Sequence, residues 1–435
     1  MTPTITPPWR WRDALATRPV RTMDPAAAGR LVVVAAHPDD ETLAAGGFTA
    51  AAHAAGATVT LVVATDGEAA FPGLGAAERA ELARMRRREL TAALAELGLA
   101  DATVHLLGLP DSGLHADAAG VALREALRPL LAGADSYLAP WTHDPHPDHA
   151  AAGRAAAEVA PVTVHGWSYP LWALPWGGPD DPAVPWQRAF RHDLDDAAAG
   201  RKRRAVGRFA SQLDPALDGG PPILPAEVLA HFAAGTELFF RAPPAASAPP
   251  ERFAQLYGRD GGDPWATRSS WYEIRKRAVL LASLPRARYR HGAEPGCGTG
   301  ASTAVLAARC DRLDASDFTA EAVAATAAAT AGLPGVTVGR CALPDPRTIP
   351  SGVDLAVLSE VLYYLSPADL DATVDRLAAA VEPGGDVAVV HWLGWPAEAP
   401  HDAVTVHHRL RTDDRFDVVV EHTDAEFLLH VFRRR

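Results

Sequence analysis

The sequence has almost nothing with which to build a covalent or thiolate-metal framework: three cysteines in 435 residues, Cys297, Cys310 and Cys341, all in the C-terminal half. No two of them stand in a Cys-x-x-Cys spacing, so neither a disulfide scaffold nor a thiolate zinc site is expected, and a reducing cytoplasm is the expected compartment. Basic excess is missing as well. Lys and Arg number 41 against 53 Asp and Glu, a formal net charge of -12, which argues against an electrostatic grip on nucleic acid or on an anionic membrane. No apolar run approaches the roughly 18 residues of a membrane span. Residues 1–28, rich in Pro, Thr and Arg, contain no apolar signal core and are expected to form a leader outside the folded domains. No motif returns at a fixed period, which removes repeat architectures.

What is present is a large apolar complement, 48% of the chain, ample for packed cores, and a length that favours two domains. The clearest seam is Ala242-Pro243-Pro244-Ala245-Ala246-Ser247-Ala248-Pro249-Pro250, whose composition leaves little to bury and favours a semi-extended linker. On either side of it, short apolar runs alternate with helical patterns. Leu31 to Ala36, Thr58 to Thr65, Thr103 to Leu107 and Ser136 to Pro140 read as strands before the seam. After it the alternation restarts near Ala293, Leu313, Val336, Asp354 and Asp386, and closes with Phe416 to Glu421 and Phe427 to Phe432 as an antiparallel hairpin. The expected fold class is therefore α/β, with two doubly wound, Rossmann-like domains at 29–241 and 251–435 joined by the linker 242–250.

In the first half, the strand Leu31 to Ala36 runs directly into His37-Pro38-Asp39-Asp40-Glu41, and the strand ending at Pro140 runs into Trp141-Thr142-His143-Asp144-Pro145-His146-Pro147-Asp148-His149. Ligands of parallel α/β sheets collect beyond the carboxyl ends of strands. Two separate strand ends thus deliver His and Asp to one place. Catalytic zinc takes three N/O ligands and keeps one position open for water, and a carboxylate just outside its shell is needed to receive the water's proton. Adjacent Asp39 and Asp40 can divide those roles, because neighbouring side chains point different ways. Taken alone, either cluster reads equally well as a helix cap or a polar turn.

Together with Thr65-Asp66-Gly67-Glu68, these clusters resemble the PIG-L/LmbE-type deacetylases over about residues 29–241. The resemblance implies His37, Asp40 and His149 as zinc ligands, Asp39 as general base, and His146 as the group that polarises the oxyanion or protonates the leaving amine. It implies an N-acetylglucosamine-like substrate, with Arg86 and Asp111 at positions that contact sugar hydroxyls in relatives. The aromatic loop of Trp172, Trp176 and Trp186 either stacks on a sugar ring or packs.

In the second half, Glu294-Pro295-Gly296-Cys297-Gly298-Thr299-Gly300 follows a strand and precedes a helical run. Glycines at alternate positions let the backbone approach a nucleotide closely, and Asp317 at the next strand end is placed to accept ribose hydroxyls. A dinucleotide dehydrogenase spaces its glycines G-x-G-x-x-G; here the motif opens with an acid and spaces them by two, which favours S-adenosylmethionine. With Asp263-Pro264-Trp265, Ser270 to Lys276 and Leu358 to Leu365, the motif resembles the NodS-type class I N-methyltransferases over about residues 251–435. That resemblance implies Glu294, Gly296, Gly298, Gly300 and Asp317 at the cofactor, and Trp265 and Tyr272 in a lid over it. The chain departs from the common pattern at Arg340-Cys341-Ala342, where many relatives carry an acid near the adenine. Glu360, just beyond a strand, is expected to orient the acceptor amine or take its proton, or else to support the lid.

NodS-type enzymes methylate the amine of a deacetylated sugar, and a PIG-L-type domain makes such an amine. The expected activity is a zinc-dependent deacetylation of a small aminosugar followed by methylation of the exposed amine. Two independent tailoring reactions, or a sugar- and cofactor-binding fusion without catalysis, are the competing expectations.

Overall fold

The computed structural model describes residues 5–435 apart from 162, 216–219, 234 and 259–261. The chain divides into two compact units, Met1–Ala242 and Pro243–Arg435. No helix among the described residues is long and apolar enough to cross a membrane.

The first unit holds eight strands: β1 Arg21–Thr22, β2 Arg30–Ala35, β3 Thr58–Thr65, β4 Thr103–Leu109, β5 Ser136–Pro140, β6 His165–Tyr169, β7 Ala189–Asp193 and β8 Thr236–Arg241. They form one sheet in the order β1-β7-β8-β6-β5-β2-β3-β4. From β6 through β4 every neighbouring pair is parallel, while β8 runs antiparallel to β6 and β7. β2 is the pivot. Its side chains alternate between two cores, Leu31, Val33 and Ala35 on one face and Val32, Val34 and Ala36 on the other, which is why this run is apolar throughout instead of alternating. The chain winds from β2 outward to β4, then returns to the other side of β2 as β5. The crevice beyond the ends of β2 and β5 is therefore the switch point where ligands of such sheets bind.

The boundaries differ from the sequence expectation at both ends of this unit. Within the expected leader 1–28, Pro8–Thr17 is a helix whose Trp11 is buried and donates its indole N–H to the Leu174 carbonyl at 2.8 Å, and β1 pairs with β7. Trp11 supplies the apolar surface that a leader would lack. The Pro/Ala seam is no free tether either: the Ala248 N–H donates to Tyr364 O at 2.8 Å, the Ser366 N–H donates to the Ser247 hydroxyl at 2.7 Å, and a helix starts at Pro250. Of the aromatic loop, Trp172 and Trp176 stack on each other and Trp186 lies against Trp11.

The second unit holds β9 Tyr289–Pro295, β10 Cys310–Asp317, β11 Val336–Arg340, β12 Val353–Ser359, β13 Val381–Trp392, β14 Phe416–Thr423 and β15 Phe427–Arg434. Their order is β11-β10-β9-β12-β13-β15-β14, parallel except where β15 pairs with β13 and β14. The terminal hairpin is thus inserted with β15 against β13. Leu355 and Val357 face one core and Ala356 and Leu358 the other, so β12 is buried on both sides. The switch point here lies between β9 and β12. The glycine-rich turn leaves one, and Glu360 follows the other.

Candidate active sites

The first site is assembled by two helices that start at the switch point. Asp40–Ala54 begins after a four-residue turn from the end of β2, and Pro147–Val159 begins after β5 with His146 as its N-cap. Pro147 occupies the first turn, where a missing N–H costs nothing. This second helix lies so close to the end of β5 that a Cβ on Gly153 would come within 2.1 Å of the Pro140 carbonyl oxygen. Glycine there lets His149 reach across to His37.

His37 Nδ1 lies 3.2 Å from His149 Nε2, His149 Nε2 lies 3.2 Å from Asp40 Oδ1, and His37 Nδ1 lies 3.7 Å from Asp40 Oδ2. Metal–ligand bonds of roughly 2.0–2.1 Å in a tetrahedron put ligand atoms about 3.3 Å apart. These separations, which involve both Asp40 oxygens, are close to those between ligand atoms of a tetrahedral zinc shell. His37 also groups with His146 and His149, and with Asp111 and Asp148, in sets whose ligand atoms lie within 4.8 Å of one another. The remaining ring nitrogens are taken by carboxylates: His149 Nδ1 by Asp144 at 2.9 Å, His37 Nε2 by Asp111 at 3.2 Å and Asp148 at 3.5 Å. Such outer partners fix the tautomer and orientation of metal-binding imidazoles.

The electrostatics agree with a cation at the centre. Burial opposes charge on both rings, yet the carboxylates outweigh it. Asp111, Asp148 and Asp40 push His37 well above its ordinary value, and Asp40 and Asp144 push His149 up to about 9. Burial likewise opposes ionisation of Asp40, and His149 and His37 overcome it to hold Asp40 well below the usual carboxylate range. A metal ion supplies the positive charge that these groups favour.

Asp39 points elsewhere. Its backbone sits at φ 133°, a conformation side chains rarely adopt, and its Oδ2 accepts a bond from Arg86 Nη2 at 3.1 Å. Burial raises its pKa to about 6, with Arg86 acting in the opposite sense. Arg86 is itself buried and also donates to the carbonyls of Pro38, at 2.7 Å, and Gly67, at 3.1 Å. His146 Nδ1 accepts the Asp148 N–H at 3.2 Å, so its own proton is on Nε2. Burial and the neighbouring rings of His149 and His37 depress it to about 4, which keeps it neutral.

The structure thus brings His37, Asp39, Asp40, His146 and His149 together. Arg86 and Asp111, expected at sugar hydroxyls, have inward partners: Arg86 the Asp39 carboxylate, Asp111 the His37 ring. Sequence reasoning gave no role to Asp144 and Asp148. Both lie inside the second His/Asp cluster, and nothing in its spacing shows which carboxylate meets which ring.

In the second unit, the turn after β9 carries Gly296, Gly298 and Gly300, all at positive φ. A Cβ on Gly296 would meet Val361 at 3.0 Å and one on Gly300 would meet Thr326 Cα at 2.9 Å, so the turn tolerates no side chain. The Gly298 N–H donates to Asp317 Oδ2 at 3.2 Å, and Asp317 Oδ1 accepts from the Thr319 N–H and hydroxyl at 2.9 Å each. Glu294 is buried, its Oε2 has no partner, and burial raises its pKa to about 8. Glu294, the glycine turn and Asp317 border a cavity of about 760 Å³, whose other walls include Trp265, Tyr272, Glu360, Tyr363 and Trp392. The expected lid residues are therefore at the cavity. Tyr257, not anticipated, joins them, its hydroxyl 3.2 Å from where a Gly298 Cβ would be. An unpartnered carboxyl oxygen, a side-chain-free cradle and a strand-end aspartate fit S-adenosylmethionine, which brings an amino group, a close-packed nucleoside and ribose hydroxyls.

Residues 32–160 match the family GlcNAc-PI de-N-acetylase, and residues 293–387 match a methyltransferase domain. Over 241 residues the chain is 32% identical to a 1D-myo-inositol 2-acetamido-2-deoxy-alpha-D-glucopyranoside deacetylase of Streptomyces avermitilis, an overlap that takes in 48% of this chain and 77% of that protein. The chain belongs to the GlcNAc-PI de-N-acetylase family. A deacetylase of the same description from Rhodococcus erythropolis is 36% identical over 35% of this chain and 60% of its own length. Nodulation protein S of Rhizobium tropici is 32% identical over 30% of this chain and 56% of its own. The chain therefore spans a little over half the length of these last two relatives. This member of the de-N-acetylase family carries a de-N-acetylase domain in its first unit and a methyltransferase domain in its second.

Proposed function

We propose that the first unit removes the N-acetyl group from an N-acetylglucosamine-like sugar in a zinc-dependent reaction, and that the second uses S-adenosylmethionine to methylate the amine so released. The observation that carries this reading is the triangle of His37, Asp40 and His149 with Asp39 beside it. Ligands and proton acceptor are separate groups on consecutive residues. A zinc ion held by His37, Asp40 and His149 supplies Lewis acidity and makes a water acidic near neutral pH. Asp39, whose raised pKa keeps it basic yet not inert, takes the proton from the attacking water, and Arg86 holds its carboxylate in place. His146, neutral with its proton on Nε2, donates a hydrogen bond to the oxygen that gains charge as the carbonyl becomes tetrahedral. The amide C–N bond then breaks, the proton taken up by Asp39 passes to the departing nitrogen, the primary amine stays on the sugar and acetate is released.

In the second unit, Asp317 and the glycine turn hold the nucleoside, and Glu294 meets the amino end of the cofactor, which brings an activated methyl group. The remaining task is alignment and exclusion of water, since methyl transfer is a direct displacement. A cavity of about 760 Å³ has room for the cofactor and a sugar together.

The test is product mass after incubation with zinc, S-adenosylmethionine and the acetamido-glucosyl inositol. Loss of acetyl followed by gain of methyl supports the scheme; methylation of the still-acetylated sugar refutes the order.

A further inference from the structure

Glu360, expected to orient or deprotonate the acceptor, has no lone pair to give. Its Oε1 accepts from the Tyr272 hydroxyl at 2.9 Å and from Lys276 Nζ at 2.7 Å, and its Oε2 from the Tyr363 hydroxyl at 2.5 Å and the Trp392 N–H at 2.9 Å. Four donors fill the four sites of a carboxylate. Its backbone, at φ 57°, is in the left-handed region, a conformation kept where the surroundings enforce it.

The two phenols are left in a defined state. Each spends its one proton on Glu360, so each oxygen has only lone pairs to offer, and both rings border the cavity. We propose that Tyr272 and Tyr363 form the acceptor cradle, that Glu360 is a positioning residue acting through them, and that the cradle selects an amine over a hydroxyl. This rests on the methyltransferase reading above.

A neutral primary amine has two N–H groups and one lone pair. Two accepting oxygens engage both N–H groups and leave the lone pair in the third direction, free to attack. A hydroxyl has one proton, so the second phenol, its own proton committed, would face an oxygen lone pair. An acetamide has one N–H and a delocalised pair. Nor does the cavity offer a base for a hydroxyl: among the described residues lining it there is no His and no Lys. Of its other carboxylates, Glu273 pairs with Lys276, Glu398 with Arg252 and Asp317 with Gly298 and Thr319, while Glu294, whose Oε2 has no partner, stands at the cofactor end beside the glycine turn. Burial, reinforced by Glu360, pushes Tyr272 and Tyr363 far above the usual phenol range, so both stay protonated. In the step itself the nitrogen pair forms the N–C bond, the C–S pair remains on sulfur as a neutral thioether, and the new ammonium gives its proton to solvent.

The experiment measures calorimetric binding of three sugars in the presence of S-adenosylhomocysteine: glucosaminyl-inositol, its 2-acetamido form and its 2-hydroxy counterpart. The full-length wild type and the variants Tyr272→Phe, Tyr363→Phe, both together, and Glu360→Gln are compared, with methyl transfer followed in parallel. The amine should bind at least tenfold more tightly than the other two, and each Phe should weaken it roughly five- to tenfold while S-adenosylhomocysteine affinity stays within twofold. Glu360→Gln should raise KM while leaving the pH profile of kcat unchanged. Loss of the acid limb of that profile, or a double variant that binds the amine within twofold of wild type, overturns the cradle alone. Comparable methylation of the hydroxyl sugar also overturns it. A wild type that methylates none of the three overturns the cradle and the methyltransferase reading together.

Discussion

The two clefts occupy the same position in their sheets, the switch point beside the central strand, yet they are built in opposite ways. In the first, buried imidazoles and carboxylates satisfy one another within a few ångströms, and Asp144, Asp148 and Asp111 form a ring of partners around the ligand triangle. In the second, the cofactor end is left unsatisfied, with glycines and an orphaned Glu294 oxygen, while the acceptor end is tied shut around Glu360. A small cation is held by protein groups alone, so its site must be complete before it arrives. A large organic cofactor brings its own polar atoms, so its site must leave room and unmet partners.

That contrast can be broken most decisively at Asp39. Asp39→Asn should lower deacetylation by roughly 10²- to 10⁴-fold while methylation of supplied free amine is unchanged; assaying both activities on one preparation decides it. A next effect is expected at the outer ring. Asp144→Asn removes the charge that fixes His149 Nδ1, and zinc affinity measured by competition with a chelator should fall roughly 10- to 100-fold, with cofactor affinity unaltered. Equal loss at both sites would show global damage instead.

Gly153→Ala sharpens the same point through packing. The added methyl meets the Pro140 carbonyl, so the first unit should lose ~1–3 kcal/mol of stability, visible as an earlier first transition in a thermal scan together with weaker zinc binding. The smallest effect concerns the second unit, where His391 is fully buried, accepts the Leu362 N–H at 3.1 Å, and is driven by burial down to about 3. The unfolded imidazole binds a proton below about 6.5 and the folded one does not. Stability is therefore complete above that pH and is lost as the pH falls toward about 3. Melting at pH 7.5 and 5.5 should show a drop of a few degrees in the second unit's transition, smaller in His391→Asn, where the buried His407 and His430 rings, also held low, still contribute.

Much of the fold was legible because β2, β5 and β12 are buried on both faces and read as short apolar runs bounded by helical patterns. The ends were not. Residues 8–28 lack a long apolar stretch, and Trp11 acquires its burial from residues far off in sequence, among them Trp186 and Leu174, 163 residues away. That His37, Asp40 and His149 come together was legible because both His/Asp clusters stand directly at strand ends. Arg86 and Asp111 were matched to positions that contact sugar hydroxyls in relatives, and a residue type in a motif does not name its partners; here these include Asp39 and His37, in the turn that follows β2.

Sequence alone determined the kind of chemistry, since imidazoles and carboxylates at two strand ends, and spaced glycines after a third, are needed in those residue types whatever surrounds them. Tertiary structure decided which group does which task. Each group's partners are set by long-range packing: His37 meets His149 across 112 residues, and Glu360, expected to orient the acceptor, take its proton or support the lid, is bound by Tyr272 and Lys276, 88 and 84 residues away.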